Sequence, residues 1–265
     1  MTQKKTNTNI LIHIPIEGNE LLEKALTSIN NNIEIVTLWK VINVNAIKRL
    51  GIADHGPIHS QIVSNIAVKF TRMLVNKGIK MSVTENFDLP DKYAQLIVLL
   101  ASLFHDLGLS VNRGEHEEFG LFLANNLMHQ ILNFLPTDEK TIVTSEVLHA
   151  IISHRSDGKP VTIEAGIVRV SDALDMSKGR SRIPYESGKI NIHSVSAAAI
   201  ENVEITEGKE KPIQLNITMN NSAGLFQLDE LLKKKIIGSG IEKYISVRAF
   251  INQKTEKRLL DEYIF

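Results

Sequence analysis

Seven of the nine histidines in this 265-residue chain fall between positions 55 and 154: His55, His59, His105, His116, His129, His149 and His154. Even scatter would place far fewer there. Several stand on helical stripes of apolar residues. His59 precedes Ile62, Ile66 and Phe70; His105 and Asp106 end the apolar run 96–104; His116 precedes Phe119 and Leu123; His154 extends Val143, Val147 and Ile151 by a turn; Asp172 follows Val168 by four. Each continues an apolar face inward and needs a partner there, because an unpaired buried aspartate or charged histidine is costly. One histidine so placed is most often a satisfied core residue. Four histidines and two aspartates on five successive helices are satisfied together by a bound metal ion, for which imidazole and carboxylate are suitable ligands. Asp175 shares a face with Asp172, so on spacing alone either is the carboxylate ligand. His129 is turned away from His116 and reads as surface or packing. His149 points away from Ile151, which suits a supporting role or none. His13 and His193 lie outside the cluster.

The elements that must carry these residues read as mainly α. Residues 20–29 form a helix, and 33–50 are ambiguous, β-branched first and helix-compatible later. Pro57 opens a helix with Ile62, Ile66, Phe70 and Met73 at helical spacing, stopped by Gly78. Further helices are expected over 93–107, 115–134, from an N-cap at Thr137 to about 154, and over 162–177 with Gly179 closing it. Beyond Pro184 the texture alternates: strands over 199–206, 213–219 and 244–251, with a helix over 228–237. The expected organisation is an N-terminal extension (1–50) packing on a helical bundle (51–186), followed by a small α+β appendage (187–265). The appendage is expected either to dimerise the chain as a homodimer or to cover the active site.

Length fits one large domain or one with a small companion, able to build a core without staples. A 43% hydrophobic content argues against disorder. Lys+Arg and Asp+Glu are both 30, which removes the simplest case for a nucleic-acid or anionic-membrane partner. The absence of cysteine excludes disulfides, thiolate nucleophiles, zinc fingers and iron–sulfur clusters. The run 96–104 is too short to span a bilayer, and 10–16, broken by His13, makes no secretory signal. A soluble, cytoplasmic protein is expected.

His59, adjacent His105-Asp106 and a later Asp172, in this order, resemble the HD-domain metal-dependent phosphohydrolase superfamily over roughly residues 50–184. The setting carries the resemblance: His59-Ser60 opens a helix, LLASLFHDLG closes one, and GIVRVSDALD carries the last aspartate. GEHEEFGLFLA is similar to the stretch where two-metal members place a second-metal histidine, here His116. AIISHRSDGKP is similar to a segment of HD-GYP phosphodiesterases with paired histidines, one of which is Ser153 here, so only His154 carries over. Leu109 stands where a lysine often follows the motif, and the Gly-Tyr-Pro signature is missing, which argues against cyclic-di-GMP as substrate. HGPIH, with His55 four residues before His59, is similar to cyclic-nucleotide phosphodiesterases, which implies His55 as general acid.

The resemblance implies an HD-type helical bundle and two divalent ions (Mn, Fe, Co, Ni, Zn or Mg), one held by His59, His105, Asp106 and Asp172, the other by His116 and His154, with Asp106 bridging. A shared hydroxide would attack phosphorus in a phosphomonoester or phosphodiester, with a nucleotide as the expected small-molecule substrate. Lys178 reads as a cation complementing a helix C-terminus. Arg180 and Arg182 are expected to hold the substrate phosphate, since guanidinium forks match its oxygens. Two competing functions follow from the same ligands: a di-iron oxygenase, and a nucleotide-binding regulatory module without turnover.

Overall fold

The computed structural model describes residues 11–155, 157–176 and 192–251. Residues 11–16 form an irregular arm, with Ile12 buried and its backbone tied to the Asn30 amide. Helix α1 (Glu20–Asn30) is capped by Asn19 and α2 (Ile33–Asn43) by Asn32, each side-chain oxygen accepting from two backbone N–H groups of the first turn. α2 runs on as a π-helical stretch, Val44–Leu50, closed by Gly51 in the left-handed conformation. The ambiguous span 33–50 is therefore helical throughout. Ile35, Trp39 and Ile42 are buried in one line, and that burial outweighs the weak helix propensity of β-branched residues.

Five longer helices build the bundle: α3 (Pro57–Asn76), α5 (Asp91–Phe104), α6 (His116–Ile131), α7 (Thr137–Ser153) and α8 (Ile163–Leu174). A short α4 (Ser82–Phe87) precedes α5; six residues are too few to show a period in sequence. α5 is the axis, its side chains buried almost without interruption from Tyr93 to Phe104. The stretch Asp91–Ser110 is long and apolar enough to cross a bilayer by composition, but 89% of its apolar window is enclosed by neighbouring helices, as befits a core helix.

Several expected details shift. Thr137 is the first residue of α7, with Pro136 in the cap position. Thr162 caps α8, its hydroxyl accepting from Ala165 N–H, and α8 ends at Leu174. The buried line of α3 is Val63, Ala67, Phe70 and Leu74, while Ile62 is 38% exposed. His59 still faces inward, since it precedes Val63 by one helical turn. On α6 the inward line is Gly120, Ala124, Leu127 and Ile131, reached from His116 at the same spacing, with Phe119 and Leu123 only half-buried.

The appendage begins with α9 (Ile192–Ala199), an Ala- and Ser-rich helix that its sequence did not signal. It leads into β1 (Ile200–Glu207) and antiparallel β2 (Ile213–Met219), then a π-helical turn Gln227–Leu232 continued as α10 (Lys233–Ile236), then β3 (Ile245–Ile251) parallel to β2. The order β1-β2-β3 needs a crossover between the parallel pair, and the helical segment provides it. Ile213, Leu215, Ile217 and Met219 of β2 all turn inward and join the bundle's core. The molecule is thus a mainly α, HD-type bundle with a small C-terminal α+β appendage sharing its interior. The expected boundary at 186 lies outside the described residues.

Candidate metal centre

His59 sits on the first turn of α3. Ahead of it, the Asp54 carboxylate accepts from Gly56 N–H (3.1 Å) and His59 N–H (3.3 Å), and Asn43 Nδ2 donates to its other oxygen (2.6 Å). That carboxylate caps α3 and holds the turn carrying His55. His105 follows the last turn of α5, with Asp106 next; a single 3-10 turn, Leu107–Ser110, then leads away. Gly108 in that turn is packed so closely that a Cβ would stand 1.8 Å from the His116 carbonyl oxygen. Only glycine lets α6 approach so near, and the approach sets His116 against Asp106. His154 closes α7, and Asp172 lies on the last turn of α8.

These side chains meet. His59 Nε2 is 3.2 Å from His105 Nε2, 3.5 Å from Asp106 Oδ2 and 3.3 Å from Asp172 Oδ1. His105 Nε2 is 3.3 Å from Asp106 Oδ2 and 3.7 Å from Asp172 Oδ1. The other oxygen of Asp106 is 3.3 Å from His116 Nε2. The His154 ring lies 4.9 Å from that of His105 and 5.7 Å from that of His116. Asp106 therefore stands between His59 and His105 on one side and His116 on the other, one oxygen toward each. Three groups place their ligand atoms within 4.8 Å of one another: His59, His105 and Asp172; His105, Asp106 and His154; His116, Glu117 and His154.

Each imidazole is set by its far nitrogen. The Nδ1–H of His105 donates to Ser102 O (2.8 Å), that of His116 to Arg113 O (2.9 Å), that of His154 to Ile151 O (2.6 Å) and that of His59 to Asp175 Oδ2 (2.6 Å). A carbonyl or carboxylate can only accept, so in each neutral ring the Nε2 lone pair faces the centre. Converging lone pairs and carboxylates repel one another, and Asp106 Oδ2 is buried with no hydrogen-bond donor among the described residues. A cation resolves both, so the donor set fits a divalent metal. The ion-free electrostatics agree. Although burial opposes it, the charge of Asp106, reinforced by Asp172, pushes His105 up to about 10, so a proton sits where an ion would. Asp106 and Asp172 are held well below the ordinary carboxylate range despite their burial, Asp106 chiefly by His105 and Asp172 chiefly by Lys235. Burial, reinforced by the charges of His105 and Lys235, drops His154 to about 3 and keeps its lone pair.

The remaining expected residues fall as follows. Half-buried His55 lies beside the cluster, its ring 5.6 Å from that of His59 and its Nδ1 2.7 Å from Ala53 O. Asp175 does not join the shared group of ligand atoms; it is the acceptor that orients His59 from behind. His149 accepts from Val161 N–H through Nε2 (3.1 Å), a tie to the loop after α7. His129 is exposed on α6, and His13 and His193 lie on the surface. Lys178, Arg180 and Arg182 lie outside the described residues. Two residues at the centre had not been foreseen. Glu117 is buried beside His116, and Lys235 of α10 places its amine 3.1 Å from Asp172 Oδ2. Glu117 adjoins a candidate ligand and was legible as such; Lys235 carried no signal.

The family model of the HD domain matches residues 58–177, the span of helices that converge on this centre. An uncharacterized protein of Methanocaldococcus jannaschii is 44% identical over 87% of this chain and 89% of its own length. Ribonuclease Y of Onion yellows phytoplasma is 25% identical over 52% of this chain and 26% of its own length. Ribonuclease Y of Aster yellows witches'-broom phytoplasma is 22% identical over 77% and 41%. No solved structure gives a significant match. With the family model lying over the very helices that bring the imidazoles and carboxylates together, this chain belongs to the HD-domain family, within a superfamily of metal-dependent phosphohydrolases.

Proposed function

We propose that this protein is a two-metal phosphohydrolase that cleaves a phosphate ester of a nucleotide in the cytoplasm. The observation that carries the proposal is Asp106, a buried carboxylate with Oδ2 toward His59 and His105, Oδ1 toward His116, and no donor on Oδ2 among the described residues. A lone ion needs no such divided carboxylate, whereas two cations need a shared anion to reduce their repulsion. His59, His105 and Asp172 would hold one ion with Asp106, and His116 and His154 the other. When bound, the ions supply an acidified water and neutralise charge on the phosphate oxygens.

The chain's own groups do the rest. Asp175 keeps His59 in the tautomer that offers Nε2, and the Ser102, Arg113 and Ile151 carbonyls do the same for their histidines. His55, its Nδ1–H held by Ala53 O, is the proposed proton donor to the departing oxygen: as imidazolium it carries a second proton on Nε2, gives that proton up, and is left as the neutral ring. Arg180 and Arg182 are proposed to meet the substrate from the segment after α8. Two relatives bear the name ribonuclease, so nucleotide phosphodiesters are the first esters to assay.

Elemental analysis of the purified protein coupled to a screen of nucleotides, phosphomonoesters and a chromogenic diester tests this. About two equivalents of a divalent metal and ester cleavage that stops on chelation are expected. A metal-loaded protein that cleaves neither ester class would end the proposal.

A further inference from the structure

Three consecutive lysines, 233–235, stand on α10, and they are not equivalent. Lys233 and Lys234 pair along the helix surface with Asp229 and Glu230 and are more than half exposed. Lys235 points the other way. Its side chain is 15% exposed, and its amine donates to the His154 carbonyl oxygen and, at 3.1 Å, to Asp172 Oδ2. It thus lies between the ends of α7 and α8, each of which delivers a candidate ligand.

This placement is built. The Arg169 guanidinium, one turn before Asp172 on α8, donates to Lys235 O (3.0 Å), to Lys234 O (3.0 Å) and to Gly158 O beyond α7. One side chain therefore ties the end of α10 to both ligand-bearing helices. At Gly166 on the same helix, a Cβ would meet the Ser239 carbonyl oxygen at 2.1 Å, so the chain after α10 lies directly on α8. Holding an aliphatic amine in one place costs side-chain entropy. Two separate devices impose that order here, at a position well outside the segment matched by the family model.

Asp172 divides its oxygens. Oδ1 faces His59 and His105, and Oδ2 faces Lys235. The amine is thus one carboxylate removed from the centre and keeps one of its three N–H donors without a partner among the described residues. An ammonium beside a cluster that attracts dianions is a point-charge ligand for phosphate oxygen. We propose that Lys235 binds the substrate's phosphate group, which makes the C-terminal appendage part of the active site; this rests on the phosphohydrolase reading above.

Binding of inorganic phosphate, the product common to phosphomonoesters, to the manganese-loaded full-length protein tests it by calorimetry, with metal content measured on the same samples. K235M keeps the aliphatic stem and removes the charge, and is expected to weaken phosphate about tenfold or more at unchanged metal content. K235R keeps the charge and is expected to bind within about threefold of the parent. K233A and K234A are expected to match the parent. On any ester that is turned over, K235M should raise KM more than it lowers kcat.

Unchanged phosphate affinity in K235M overturns the proposal. So does loss of metal with unchanged phosphate affinity per loaded site, which would make Lys235 only a support for Asp172. Equal weakening in K235R and K235M would mean that shape at the α8 contact matters rather than charge, and would overturn it too. Should K235M fail to fold, K235Q against K235R makes the same comparison. Turnover by the parent tests the hydrolase reading, and the affinity ratio tests Lys235, so the two fail separately.

Discussion

The two sides of the histidine cluster are built differently. On one side His59 and His105 are sealed in the interior at 1% exposure, with Asp175 behind His59 and the end of α5 behind His105. On the other, His116 begins a helix at the surface with its side chain 20% exposed, and the Glu118 and Arg155 charges near it reach solvent while Glu117 beside it is buried. Asp106 belongs to both. The closed side is preorganised, each ring locked by a partner that is itself buried, so an ion there meets little reorganisation and little water. On the proposed reading, the open side is where a second ion would exchange and where substrate would enter. On the two-metal reading proposed above, an ordered difference in metal affinity between the two sides is the expected consequence.

Asp106→Ala should have the largest effect, because it removes the shared anion from both sides at once. Loss of both metal equivalents is expected, with activity falling by about three orders of magnitude or more, as for groups that act as a unit. Metal at full occupancy in that variant would contradict the bridging arrangement. Next come the changes that separate the sides. Asp175→Asn leaves every ligand in place but unlocks His59, and should weaken the tighter ion about 10–100-fold. His116→Ala should release the weaker ion and leave the tighter one. Competition titration with a chromogenic chelator reads both, and equal losses in the two variants would erase the distinction between closed and open.

Gly108 offers a structural way to disturb the open side alone. Adding a Cβ there drives it against the His116 carbonyl and Gly120 N–H, so Gly108→Ala must push α6 outward. Destabilisation of about 1–3 kcal/mol is expected by analogy with overpacking, with the weaker ion affected and the tighter one kept. Chemical denaturation and metal titration on one preparation separate the two effects.

Acidity tests the closed side. In the ion-free protein, burial favours neutral His105, but Asp106 and Asp172 overcome it and raise the group from 6.5 to about 10. The folded state then holds a proton that the unfolded chain has released. That contribution to stability is complete below pH 6.5 and is lost as pH rises toward 10. Asp106 and Asp172 are shifted the opposite way, so their contribution is present above 3.8 and is lost on acidification. The melting temperature of chelated protein should therefore fall between pH 6.5 and 10, and metal loading should abolish that fall, because the ion takes the proton's place. A chelated protein indifferent to pH across this range would mean that His105 is neutral without metal.

Much of the cluster was legible in sequence because its members terminate apolar helical lines, a local signal. His154 follows Val143, Val147 and Ile151, all buried, and Asp172 follows buried Val168. The inward turn of His59 and His116 was also readable, although the lines they extend are Val63, Ala67, Phe70 and Leu74, and Gly120, Ala124, Leu127 and Ile131, rather than the bulkier neighbours. Small residues mark the inward face where helices approach closely, and a count of large apolar side chains misplaces it by about one position. What stayed hidden depends on distance along the chain. Asp175 meets His59 across 116 residues and Lys235 meets Asp172 across 63, so no spacing encodes either. The span 33–50 was ambiguous for a related reason: β-branched residues lower helix propensity locally, and the burial of Trp39 that overrides it exists only once distant chain, such as the Leu103 carbonyl to which its indole N–H donates, is beside it.

The smallest expected effect bears on how the open side is completed. Glu117 is within the group of ligand atoms formed with His116 and His154, yet one of its oxygens also faces Arg155 Nε at 3.8 Å. Arg155 is shared further with Glu118 at 3.0 Å and Asp157 at 3.1 Å, so its hold on Glu117 is one weak part of an exposed network. If Glu117 serves the weaker ion, the guanidinium competes for the same carboxylate, and Arg155→Ala should tighten that ion by no more than about fivefold, the range of an exposed pair. Glu117→Gln should loosen it, and the tighter ion should ignore both changes. Should Arg155→Ala leave the weaker ion unchanged while Glu117→Gln lowers protein stability, Glu117 belongs to the surface network and the open side is made by His116, His154 and Asp106 alone.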